Sequence, residues 1–75
     1  MQISLDQVRP GIWASVTQIR TPQALTARLQ DFGLIPGTAV CCRYRSPGGH
    51  VTALELRGTV VAMRTRDMRD ILVAV

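Results

Sequence analysis

Apolar and polar residues alternate with a period of two through most of the chain, and once they recur with the period of a helix. In "GIWASVTQI", Ile12, Ala14 and Val16 alternate with Trp13, Ser15 and Thr17, the pattern of a half-buried strand opened by Pro10-Gly11. Leu25, Leu29 and Phe32 then recur at spacings of four and three, which predicts one apolar face on a short helix. Thr21 is its expected N-cap, with Pro22 at the first helical position, where a missing N–H costs nothing. Further on, "TAVCCRYR" predicts a strand with Val40, Cys42 and Tyr44 inward and Cys41, Arg43 and Arg45 outward. "SPGGH" is a loop, and "VTALEL" a strand with Leu54 and Leu56 on one face, Ala53 and Glu55 on the other. Arg57-Gly58 turns into the strand "TVVAMRT", "RDMRD" reads as a helical turn or loop, and "ILVAV" closes with Ile71, Val73 and Val75 on one face.

Helix stop and strand start are coded back to back in "RLQDFGLIPGT". Gly33 fits the position just past the helix, where a left-handed backbone closes the last turn, and Leu34 folds back, onto Leu29. Pro36 and Gly37 occupy the two central positions expected of a type II turn. Leu29, Gly33, Leu34, Pro36 and Gly37 are therefore read as structural. Five short strands and one short helix, placed between the first and second strands, predict a mostly β fold, a small barrel whose closure removes sheet edges.

With 75 residues the chain has room for one domain, residues 1–75, and a thin margin of stability. Its 47% hydrophobic content suffices for a core. Cys41 and Cys42 are adjacent and, as strand neighbours, point apart, so no disulfide framework is expected and a reducing compartment is. The N-terminus lacks the basic and apolar regions of a signal peptide, and no run approaches the ~18 apolar residues of a membrane span. A cytoplasmic location without membrane insertion is expected.

The ordered signals resemble the bacterial ferrous iron transport protein A family. The resemblance runs through "SLDQVRPG", "LTARLQDFGLIPGTAV", "SPGG", "RGTVVAMR" and "RDMRDILV", and so spans nearly the whole chain. It implies a small SH3-like barrel, the fold also found at the C-terminus of metal-dependent repressors of the diphtheria-toxin-regulator type. It further implies an accessory or regulatory role in ferrous iron uptake, by contact with the cytosolic G-protein part of a membrane ferrous iron transporter. Since the chain starts at Met1 with no room for the DNA-binding domain those repressors carry upstream, the free-standing form is expected, not a repressor's domain. Gly49-His50-Val51 stands where the family often has an aspartate-proline pair, and the paired cysteines depart from ordinary strand residues.

Charge and side-chain chemistry then sort the function classes. Nine arginines, no lysine and five carboxylates give a net charge of +4. Arg43, Arg45, Arg64 and Arg66 can gather on neighbouring strands, and the first three, with Trp13, are the candidate partner surface; the plain reading is a solvated face. A Cys41–His50 dyad is imaginable, but loop and surface-strand positions are the expected reading, and no phosphate loop is present, so an enzyme is not expected. For metal, Cys41, Cys42, His50, Glu55, Asp67 and Asp70 offer suitable donors without ligand-like spacing. No cofactor is required, and an exposed, weak divalent transition-metal site at Cys41 or His50 is the alternative. Binding of RNA is the runner-up function; with Tyr44 and Phe32 assigned to the core, only Trp13 remains as a stacking platform, and no nucleic acid is expected. A metal-responsive domain of a repressor system is a third reading, and a homo-oligomer is compatible with all of them.

Overall fold

The computed structural model of the chain describes residues 1–75, in which six antiparallel strands form one sheet. The strands are β1 (Gln2–Ser4), β2 (Trp13–Ile19), β3 (Ala39–Arg45), β4 (Val51–Leu56), β5 (Thr59–Arg64) and β6 (Ile71–Ala74). One helix, α1 (Gln23–Asp31), joins β2 to β3, and 3₁₀ turns cover Leu5–Gln7 and Thr65–Asp70. The order across the sheet is β1-β6-β2-β3-β4-β5. The predominance of β structure matches expectation, with one strand more than the five predicted. The extra one is Gln2–Ser4, three residues long and too short to show a period. The sheet remains open, because β1 and β5 are its two outer strands and do not pair.

Leu5, Val40, Leu54, Leu56, Met68 and Ile71 are fully buried and fill the concave side of the sheet. Burying each such side chain stabilises the fold by roughly 1.5–3 kcal/mol. Helix α1 packs onto this core through Leu29, with Leu25 half-buried beside it.

The end of α1 follows the sequence closely. Gly33 has φ +90°, its N–H donates to the Gln30 carbonyl at 2.9 Å, and the Leu34 N–H reaches the Leu29 carbonyl at 2.9 Å. This pair of bonds is the Schellman closure, and it delivers Leu34 into the core at 2% exposure. Thr38 N–H then donates to the Ile35 carbonyl at 3.0 Å, with Gly37 at φ +96°, closing the Pro36-Gly37 turn. The start of the helix differs from expectation. Pro22 itself is the capping residue, at ψ 150°, and Thr21 bonds Thr26 through their hydroxyls at 2.6 Å instead of capping.

Five hydrophobic side chains depart from the expected pattern. The β3–β4 ladder shifts register between Cys42 and Tyr44, so Tyr44 faces out at 66% exposure. Phe32 ends the helix in place of extending its apolar stripe and is 49% exposed. Ile12 and Val75 lie beyond the ends of their strands and are exposed too. Cys41, expected outward on the surface, is fully buried.

Candidate functional site

The outer face of the sheet explains how Cys41 is covered. Cys41 stands opposite Trp13 on β2 and opposite Glu55 on β4. Arg43, set off by the β3 irregularity, pairs with Glu55 at 3.3 Å and brings its Nη1 to 3.9 Å from the Cys41 Sγ. The ion pair therefore roofs the thiol. Cys42 lies on the core side, and burial pushes its thiol up from the ordinary value while nearby Arg45 pulls the other way.

Trp13 and Arg43 thus share one end of the outer face, and Trp13 is half-exposed above Cys41. Arg64 lies toward the other end, opposite Val51, whereas Arg45 stands opposite buried Thr52 and so on the core side of the sheet. Arg45 donates to the backbone carbonyl of Asp6, and Arg64 holds Asp67 at 3.2 Å. The four candidate partner residues are consequently not one surface: Arg45 is on the opposite face, and Trp13 and Arg43 lie at the other end of the outer face from Arg64. Tyr44 stands between those two ends, in the row Tyr44–Ala53–Ala62 across β3, β4 and β5. Sequence reasoning assigned Tyr44 to the core; only the β-bulge, which leaves no periodic signal, places it outside.

A hollow of about 500 Å³ borders the Arg64 end, lined among others by His50, Arg64, Arg66 and Arg69. Asp6 also lines it, with Oδ1 buried and lacking a hydrogen-bond partner. All nine arginines are exposed, yet carboxylates pair with only two of them, Arg43 and Arg64. The basic surface is thus largely uncompensated.

The metal candidates do not converge. His50 is exposed in the β3–β4 loop, whereas Cys41 is opposite Glu55 at the far end of β4. Four residues of strand separate those levels, roughly 13 Å. One ion or one dyad cannot bridge Cys41 and His50, and no three His, Cys, Asp or Glu side chains gather anywhere in the chain.

A second depression, of about 170 Å³, lies between α1 and β5 and is lined mainly by apolar side chains. Leu25, Arg28, Leu29 and Phe32 form its helical wall. The opposite wall is the run Val61, Ala62, Met63 and Arg64. A third, shallow one links Trp13 to the Ile35–Thr38 turn and Arg57.

Residues 3–75 match the family model described as FeoA domain. Curated proteins yield no match. Among solved structures, the solution structure of the FeoA protein from Chlorobium tepidum superposes with a TM-score of 0.93 at 26% identity, covering 97% of this chain and 70% of that one. A FeoA-like protein from Clostridium acetobutylicum gives a TM-score of 0.86 at 30% identity, over 99% and 86% of the two chains. IdeR from T. acidophilum gives 0.85 at 19% identity, over 99% of this chain and 34% of that one, a likeness of fold alone.

Proposed function

Since the chain belongs to the FeoA family, we propose that it serves ferrous iron uptake as a cytoplasmic, non-enzymatic accessory that works by contact with the cytosolic G-protein part of a membrane ferrous iron transporter. Family membership supports a role in ferrous iron transport or metal-linked regulation. No helix is long and apolar enough to cross a membrane. The observation that carries the contact reading is the uncompensated arginine surface with outward-facing Trp13 and Tyr44 beside it. Exposed guanidinium groups steer an acidic partner, and exposed aromatic rings supply the anchoring area that such contacts use.

Uptake of ferrous iron in gene-deleted cells tests this. Wild type should restore uptake, and a variant with Arg43, Arg45 and Arg64 changed to alanine should restore it less. Full uptake in the deleted cells would end the transporter reading. Equal rescue by both forms would move the contact away from those arginines.

Tyr44 also bears on the RNA reading, because it stands exposed on the same outer face as Trp13 and supplies a further aromatic platform. Binding to a single-stranded oligonucleotide should then weaken steeply with salt. Binding that does not change with salt, or none at all, would exclude it.

A further inference from the structure

The groove between α1 and β5 has an unusual wall. Side chains of consecutive strand residues alternate between faces, yet Val61, Ala62, Met63 and Arg64 all border it. What they share is the backbone, so the wall is the free edge of β5. That edge pairs with nothing: β5 is outermost in the sheet, and no loop or turn hydrogen bond involves residues 59 to 64. Its first five residues, "TVVAM", contain neither proline nor charge, the usual protections of an exposed edge. Across the groove stand half-buried Leu25 and half-exposed Phe32.

We propose that this edge receives an extended, acidic segment of a partner protein as a further antiparallel strand. The inference rests on the contact reading above and names the place and chemistry of the contact. Backbone groups of β5 supply the ladder, and alternate apolar side chains of the segment fill the groove against Leu25, Leu29 and Phe32. Charge selects the occupant. Arg57 precedes β5, Arg64 ends it, and Arg28 lines the helical wall without a carboxylate partner; Asp67, held by Arg64, is the one acidic side chain in the groove. In an antiparallel pairing of two copies through β5, Arg57 of each would lie toward Arg64 of the other, like against like. A strand with carboxylates toward its two ends meets opposite charge at both.

The probe is a synthetic peptide, acetyl-Glu-Val-Thr-Val-Thr-Val-Glu-amide, followed by amide chemical shifts of the full chain. Its lysine-ended counterpart and a form N-methylated at alternate residues serve as controls. The acidic peptide should shift the amides of residues 59–64 together with Leu25, Arg28 and Phe32. N-methylation, which removes two or more ladder bonds, should weaken binding by about tenfold or more. Arg28→Glu, an exposed change that leaves the core untouched, should weaken the acidic peptide and strengthen the lysine-ended one. Shifts confined to His50, Arg66 and Arg69, indifference to N-methylation, or no shift at millimolar peptide would each overturn the proposal. Concentration-dependent shifts of β5 amides without peptide would make the occupant a second copy, and overturn it also. Uptake measurements separate the two readings: loss of uptake on deletion with no peptide binding removes strand addition alone, whereas peptide binding with unchanged uptake removes the transporter role alone.

Discussion

The side chain of Arg57 lies across the α-carbon of Gly33, so close that a β-carbon built there would stand 2.8 Å from the Arg57 Cδ. The tight β4–β5 turn, with Arg57 at φ +49° and Gly58 at φ +78°, thereby seats its arginine on the C-terminal end of α1. Positive charge is favoured at that end. Gly33→Ala should cost about 1–2 kcal/mol through its left-handed φ, a fall of roughly 4–8 °C in Tm for each kcal/mol in a domain of this size. Arg57 is flexible and can swing away, so Arg57→Ala in the same chain should relieve the clash and leave most of the loss. Thermal melts of both single variants and the double decide it; a wild-type Tm for Gly33→Ala would refute the strained cap.

Thr52 is fully buried, and its hydroxyl bonds that of Thr65 at 2.8 Å. Thr52→Val leaves the Thr65 hydroxyl short of a partner and should destabilise by about 1–2 kcal/mol. Changing both threonines to valine should recover part of that loss, because neither side then holds an orphaned polar group. Urea midpoints of the four chains measure the coupling, and strict additivity would show that the bond contributes nothing.

Removing the Arg43 guanidinium should open a path to a thiol. Arg43→Ala leaves Glu55 unpaired above Cys41 and uncovers its sulfur, while Cys42 stays on the core side. One of the two free cysteines should then react with a thiol reagent many times faster, with little change in Tm, since an exposed ion pair contributes at most about 1 kcal/mol. Unchanged labelling, or equal acceleration of both thiols, would contradict the roof.

Alkaline pH should act through Cys42. Burial favours its protonated form, so its folded pKa lies above its unfolded one. Between those two values the folded chain holds the proton that the unfolded chain has lost. Stability from this group is fully present below the ordinary thiol range and is lost as pH rises through it toward the raised value. The chain has no lysine, so few other side chains titrate there. Urea midpoints should therefore fall from neutral pH to about pH 10, and fall less in Cys42→Ala. An equal decline in both would assign the loss elsewhere.

Legibility in the sequence followed locality. Gly33, Leu34, Pro36 and Gly37 were readable because each position is fixed by its immediate neighbours, and the helix stop and turn stand as read. Tyr44 was not, because a bulge one residue away reverses the face of everything after it and has no compositional mark. Phe32 was misassigned since the period that predicts a stripe does not say where the helix ends. Cys41 was misread for a different reason: the face of the strand was right, but two long side chains on that same face bury it. The groove beside β5 lay beyond any local pattern, since it joins residues of α1 to an edge defined only by the order of strands.

That order has a consequence for how the chain is made. The strand between β1 and β2 is β6, whose Ile71 and Val73 are fully buried. Until those residues emerge, β1 has no neighbour and β2 lacks one flank, so the growing polypeptide carries β1 through β5 with a slot open in its sheet. The sheet is therefore completed only by the last of its strands in chain order. A premature stop shortly before Ile71 would leave β1 unpaired and the sheet unfinished, a substrate for proteases.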